Sequence, residues 1–168
     1  ADTAGARGRY EDADGYYQQA LGIATELGDR LGESYSLQGL ADTAGARGRY
    51  EDADGYYQQA LGIATELGDR RGESHRLRGL ADTARARGRY EDADGHYQQA
   101  LGIATEIGDR LGESHSLRGL AHTARERGRY EDADGYYRRA EALFRQLGRT
   151  ADAEAAAEAR VKPPSDRS

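Results

Sequence analysis

The chain has 168 residues, 37% hydrophobic and 32% charged, with a formal net charge of -6 at pH 7. So low an apolar share excludes a thick central core and fits a thin array of small units. The acidic balance speaks against general nucleic-acid binding. Cysteine is absent, which excludes a disulfide framework, a thiolate nucleophile and a zinc–thiolate site.

Residues 1–30 recur letter for letter as residues 41–70, and a 40-residue unit runs on through the chain. Such a period marks a stack of supersecondary units. In chain order, residues 1–28 read as a partial first repeat. It starts inside a first helix (helix A), lacks the GES-x-x-L-x-GL half that opens later copies, and has Tyr10 at its hairpin turn. Residues 29–68 form the first complete repeat. Gly28 ends the preceding helix in a left-handed conformation and Asp29 caps the next. Helix A is expected over Arg30 to Arg47, with Leu37, Leu40, Ala41 and Ala44 on one face. Gly48 ends it, Arg49 and Tyr50 turn the chain, and helix B begins near Glu51. The acids Glu51, Asp52 and Asp54 favour the positive end of its macrodipole. Its expected buried stripe is Ala53, Tyr57, Ala60, Leu61, Ala64 and Leu67, closed by Gly68. Residues 69–108 and 109–148 repeat the plan. Thr150 is placed to cap a polar final helix within 149–161, as a capping unit requires. Residues 162–168, with Pro163 and Pro164, read as a disordered tail.

No segment alternates with period two, so the fold class is all-α, built of antiparallel helix hairpins. The residues Leu40, Ala41, Gly48, Tyr50, Ala53, Tyr57 and Ala60, with their counterparts at 80–100 and 120–140, resemble the tetratricopeptide repeat. The resemblance covers most of the chain and implies an α-solenoid with right-handed superhelical twist and a C-terminal capping helix. The period here exceeds the family's usual length of about 34 residues, a longer form similar to repeats of kinesin light chains and bacterial multidomain regulators. Leu37 stands at the usual tryptophan position and the terminal proline is missing.

Near-identical copies serve as an internal control. Position 35 reads Tyr35, His75, His115; position 38 reads Gln38, Arg78, Arg118; position 42 reads Asp42, Asp82, His122; position 45 reads Gly45, Arg85, Arg125. With Leu31, Arg71 and Leu111, and with Ala46, Ala86 and Glu126, these fall within an arc of about 100° on helix A, away from the core stripe. Ser36, Arg76 and Ser116 lie outside it. The resemblance implies that helix A lines a concave peptide-binding groove. The groove then turns basic towards the C-terminus and suits an anionic or carboxylate-bearing segment. The Lys and Asn set of the family's carboxylate clamp is not present. The alternative is surface drift with internal pairing, Arg78 to Asp82 along the helix, or Asp42 to Arg78 or Arg85 across repeats.

Catalysis is not expected, because polar residues here are repeated whereas catalytic constellations are singular. His115 and His122 sit about 10 Å apart along one helix, too far for one metal ion. Asp12 and Asp14 resemble part of a calcium loop, but Tyr10 and Leu21 occupy ligand positions. Gly28, Gly32 and Glu33 do not make a phosphate loop. No cofactor or metal is expected. The expected role is a scaffold for a protein or peptide partner, without nucleic acid and without membrane, in the cytoplasm. The alternatives are a self-assembling array joined through the uncovered first repeat, and a peptide- or small-molecule-sensing module.

Overall fold

A computed structural model describes the backbone of residues 3–160 and the side chains of residues 9–160; the 162–168 tail lies outside the described residues. Among the described residues eight helices follow one another: α1 (Thr3–Leu27), α2 (Arg30–Ala46), α3 (Tyr50–Glu66), α4 (Arg70–Ala86), α5 (Tyr90–Glu106), α6 (Arg110–Glu126), α7 (Tyr130–Gln146) and α8 (Thr150–Glu158). Each packs against the next as an antiparallel hairpin stack. The 40-residue period divides into two 17-residue helices and two three-residue turns. Every described turn pivots on a glycine at positive φ, such as Gly48 at 73° and Gly68 at 68°, a conformation that Cβ-bearing residues avoid. Backbone bonds close these ends, Arg49 N–H to Ala44 C=O at 2.9 Å and Asp69 N–H to Ala64 C=O at 2.8 Å. Asp29, Asp69 and Asp109 then cap the A helices by accepting from the N–H of Gly32, Gly72 and Gly112.

The core is a chain of small clusters. Tyr57 packs with Ala41, Ala44, Ala53 and Leu80; Tyr97 packs with Ala81, Ala84, Ala93 and Leu120. Each tyrosine thus joins its own repeat to the next. At the C-terminal end, α8 brings Ala153 over Phe144 and Ala156 over Tyr137, covering the last repeat. The A helices α2, α4 and α6 also touch one another in succession, whereas the B helices make no comparable contact. That asymmetry curves the stack with the A helices on its inner face.

Four expectations are corrected. First, α1 runs unbroken through Gly8 and Tyr10, so Tyr10 marks no turn. Helical hydrogen bonding runs on through Gly8, and among the described residues no second helix folds back across it. Second, Thr150 is the first helical residue rather than the cap; Arg149 holds the cap position and makes no side-chain cap bond. Third, α8 ends at Glu158, short of the expected boundary near Val161. Fourth, Leu67 is exposed and Leu61 half-buried, while Ile63 is buried, because Leu37 of α2 packs against Ile63 and Leu67 falls beyond the end of α3 at Glu66.

Candidate functional site

Tyr57, Tyr97 and Tyr137 rise from the B helices and pass between successive A helices to the inner face. Glycine makes the passage: a methyl group built on Gly79 would overlap the Tyr57 ring, and one on Gly119 would overlap Tyr97. Each hydroxyl then meets the variable position 42 of its own repeat. Tyr57 donates to Asp42 and Tyr97 to Asp82. Burial, then the neighbouring carboxylates, push both phenols well above their usual range, which keeps the proton on tyrosine. In the last complete repeat the acid is replaced, and Tyr137 Oη lies 2.8 Å from His122 Nδ1.

Beside these tyrosines, Arg78, Asp82, Arg85, His115, Arg118 and His122 line one cavity of about 330 Å³, together with Tyr97, Gly119, Tyr137 and Ala155. Six residues from four variable positions therefore converge. A neighbouring cavity of about 370 Å³ is lined by Arg71, His75, Arg78, Asp109, Leu111, Gly112 and His115. Arg78 belongs to both. Tyr35, Gln38 and Asp42 belong to α2, and Arg125 lines neither cavity. Tyr35 is exposed and lies 5.4 Å from the Arg76 guanidinium; Arg125 stands 6.0 Å from the Tyr137 ring.

Three guanidinium groups face one carboxylate in the first cavity. Arg85 pairs with Glu126 at 2.8 Å and Arg118 with Asp152 at 3.1 Å. Arg78 makes no hydrogen bond or ion pair with any described residue, and its Nε is buried without a partner. Burial pulls its pKa below the usual arginine range, partly offset by Asp82 and Asp109. The pairing of Arg78 with Asp82 is not formed, because Tyr97 engages that carboxylate; Asp42 is likewise held by Tyr57 rather than by Arg78 or Arg85. Burial first, then Arg118 and Arg78, push His115 down to about 4; burial, then Arg85, Arg125 and Arg118, do the same to His122. Both imidazoles are neutral at pH 7. The Arg118 guanidinium donates to His115 Nδ1 at 3.1 Å, which suits an imidazole without a proton there.

The tyrosine hydroxyls at the groove floor were not legible in the sequence, where Tyr57, Tyr97 and Tyr137 read as core. The rings are core, but the hydroxyls reach the inner face. Position 76 holds a second surprise. Arg76 is 2% exposed where its counterparts are serines, and it donates to Ser34 Oγ at 3.2 Å. Among the described residues no group of three or more His, Cys, Asp or Glu side chains is placed to hold a metal ion, and no helix is long and apolar enough to cross a membrane.

Comparison with known proteins places this geometry. The tetratricopeptide repeat family matches residues 1–66 and 73–146. No curated protein sequence matches. Among solved structures, BtubC (BKLC) from P. vanneervenii aligns with a TM-score of 0.73 at 21% identity, over 99% of this chain and 81% of that one. Aspartyl phosphate phosphatase F from Bacillus subtilis aligns with a TM-score of 0.73 at 18% identity, over 86% of this chain but 43% of that one, so this chain spans less than half of its length. The nearly identical TPR-like repeats of a kinesin light chain candidate from Podosopora anserina align with a TM-score of 0.64 at 14% identity, over 92% and 86%. At these identities the likeness is one of fold.

Proposed function

Since the chain belongs to the tetratricopeptide repeat family, a family of helical repeat scaffolds, we propose that it binds an anionic protein or peptide segment along the inner face of α2, α4 and α6 and performs no catalysis. The carrying observation is the convergence of six side chains from four copy-variable positions, three of them arginines, in one cavity of about 330 Å³. Positions that only drifted have no reason to gain positive charge together along successive copies, as positions 38 and 45 do. The A helices present their side chains from a rigid stack, so a bound segment meets a preformed surface.

The repeats supply the test. Replacing His115, Arg118 and His122 by Tyr, Gln and Asp installs in α6 the residues that α2 carries at the same positions. The stack already accommodates them, so the helical fold is expected to persist. Affinity for glutamate-rich peptides, followed by fluorescence anisotropy, is expected to fall at least tenfold, about 1.4 kcal/mol. Unchanged affinity for a peptide that the parent chain binds would remove the groove reading.

A second reading rests on the opposite end. The residues of α1 from Tyr10 to Leu27 are identical to those of α3 and the start of its C-terminal turn, yet Tyr17 is 39% exposed against 6% for Tyr57, and Ile23 is 51% exposed against 6% for Ile63. Leu37 of α2 covers Ile63, whereas no described residue covers Ile23 in that way. This apolar face favours self-association of the chain through α1.

A further inference from the structure

The exposed face of α1 carries a regular seam. Ala13, Tyr16, Ala20, Ile23 and Leu27 are spaced three, four, three and four residues apart, the spacing of helices that pair along their length. In α3, where the sequence recurs, α2 fills this face. Leu37 packs with Ala60 and Ile63 beside Tyr56, and Ala41 and Ala44 pack with Ala53 and Tyr57. In α1, Ala20 is exposed whereas Ala60 is fully buried, and Tyr16 and Leu27 are 73% and 77% exposed. Two charges beside the seam also stand apart from their counterparts. Arg49, Arg89 and Arg129 each pair with an aspartate of the preceding helix B, and Glu66 and Glu106 pair with Arg30 and Arg70. Arg9 and Glu26, at the equivalent positions of α1, form no ion pair with any described residue. We infer that α1 pairs antiparallel with α1 of a second copy of this chain across a two-fold axis, Tyr16 of each seating on Ala20 of the other.

The inference rests on the reading of α1 as a self-association surface and gives that surface its partner, symmetry and register. The register that sets Tyr16 against Ala20 also sets Ile23 against Ala13 and Leu27 against Arg9. Every apolar layer then joins a large side chain to a small one, so the two helices close without voids or overlap. Parallel pairing would stack Tyr16 on Tyr16 and Ala20 on Ala20. Charge agrees with the antiparallel register. The Arg9 stem covers Leu27 of the second copy, and its guanidinium reaches Glu26 there, twice over by symmetry. Asp12 approaches the same Glu26, and Arg9, one turn from Asp12 along α1, offsets the two acids. The other end of the stack fits less well, because the exposed face of α8 presents Glu154 and Glu158, which would set acids against Glu26. A second copy thus fills the seam and answers both charges at once, and an isologous contact of this kind closes at two subunits.

The chain has no cysteine, so a single introduced one reports the geometry. Gln19 lies beside the proposed axis, whereas Gln18 points about 180° around α1 from the seam. Both are exposed. With a short bis-maleimide, Gln19→Cys is expected to give covalent dimers, since the axes of packed helices lie about 8–10 Å apart, and Gln18→Cys is expected to stay monomeric on denaturing gels. In sedimentation velocity the parent chain is expected to stop at the dimer. Arg9→Glu and Glu26→Arg should each weaken dimerisation about fivefold, and the double variant should recover it, because both reverse one pair. All these positions are exposed, so the helical fold persists, as far-UV circular dichroism would verify. A parent chain that stays monomeric, or an association untouched by Ile23→Glu, removes the reading of α1 as a self-association surface and the pairing with it. If Ile23→Glu abolishes association but masses run past the dimer, or Gln18→Cys crosslinks as well as Gln19→Cys, or the double charge variant is no better than the single ones, the antiparallel pairing falls while self-association through α1 stands.

Discussion

Gly79 sits in the middle of α4, where glycine disfavours helix by about 1 kcal/mol relative to alanine. The Tyr57 ring explains it, lying where a Gly79 Cβ would be. That ring cannot turn aside freely, because its hydroxyl is bound to Asp42 and its faces are packed by Ala41, Ala44 and Leu80. Gly79→Ala is therefore expected to destabilise the chain by about 1–3 kcal/mol through overpacking. Gly62→Ala in α3, where a methyl group meets nothing within 4 Å, is expected to stabilise it by up to about 1 kcal/mol. Urea unfolding of the two variants beside the parent measures both, and equal effects would refute the packing account. The sequence shows two similar helix glycines; only the neighbour on the preceding repeat, Tyr57 against Gly79, separates them. The same holds at Arg76, whose burial beside Ser34 could not be inferred from a position that reads serine in the other copies.

Between elements, one bracket recurs down the stack. Asp54 on α3 accepts from Arg87 at 3.0 Å and Arg89 at 2.6 Å, both on the turn between α4 and α5, and also from the Thr83 hydroxyl. Asp14 holds Arg47 and Arg49 in the same way, and Asp94 holds Arg127 and Arg129. Asp134 meets Arg160 at 3.0 Å, just beyond the end of α8. Each helix B thus fastens the next hairpin turn. The aspartates are largely buried and the arginines partly exposed, so the bracket is worth more than a surface ion pair and less than a fully buried one. Asp54→Asn keeps the shape and removes the charge. It is expected to cost about 1–2 kcal/mol and to broaden the denaturation transition, because nearest-neighbour coupling holds a repeat array together. Asp92→Asn, on an exposed residue 3.6 Å from Arg89 within the same segment, should cost less than about 0.5 kcal/mol. In the sequence these acids read as partners of the helix macrodipole. Their second role lay 33 and 35 residues away, beyond the reach of local pattern.

At the scale of the whole molecule the two ends differ. α8 covers Tyr137 and Phe144, whereas α1 leaves Tyr16, Ile23 and Leu27 exposed. The self-association proposed from this face predicts a mass that rises with concentration in sedimentation velocity, and a return to monomer in Ile23→Glu, which alters an exposed side chain and leaves the stack intact. A parent chain that stays monomeric up to the highest attainable concentration would dismiss it. The sequence by itself determined the helical hairpin repeat, its glycine turns, its aspartate caps and its alanine–tyrosine core, because helical periodicity, left-handed glycine and N-capping are local and each unit restates them. It also marked the variable arc, because copies that agree elsewhere expose the positions that change. Only the tertiary structure decided that α1 passes straight through a turn sequence that bends in every later copy. A turn glycine bends the chain only when a second helix packs back across it. Tertiary structure also decided that Arg85 and Arg118 pair with acids while Arg78 forms no ion pair among the described residues. Those partners lie on neighbouring helices, at distances along the chain that no period reveals.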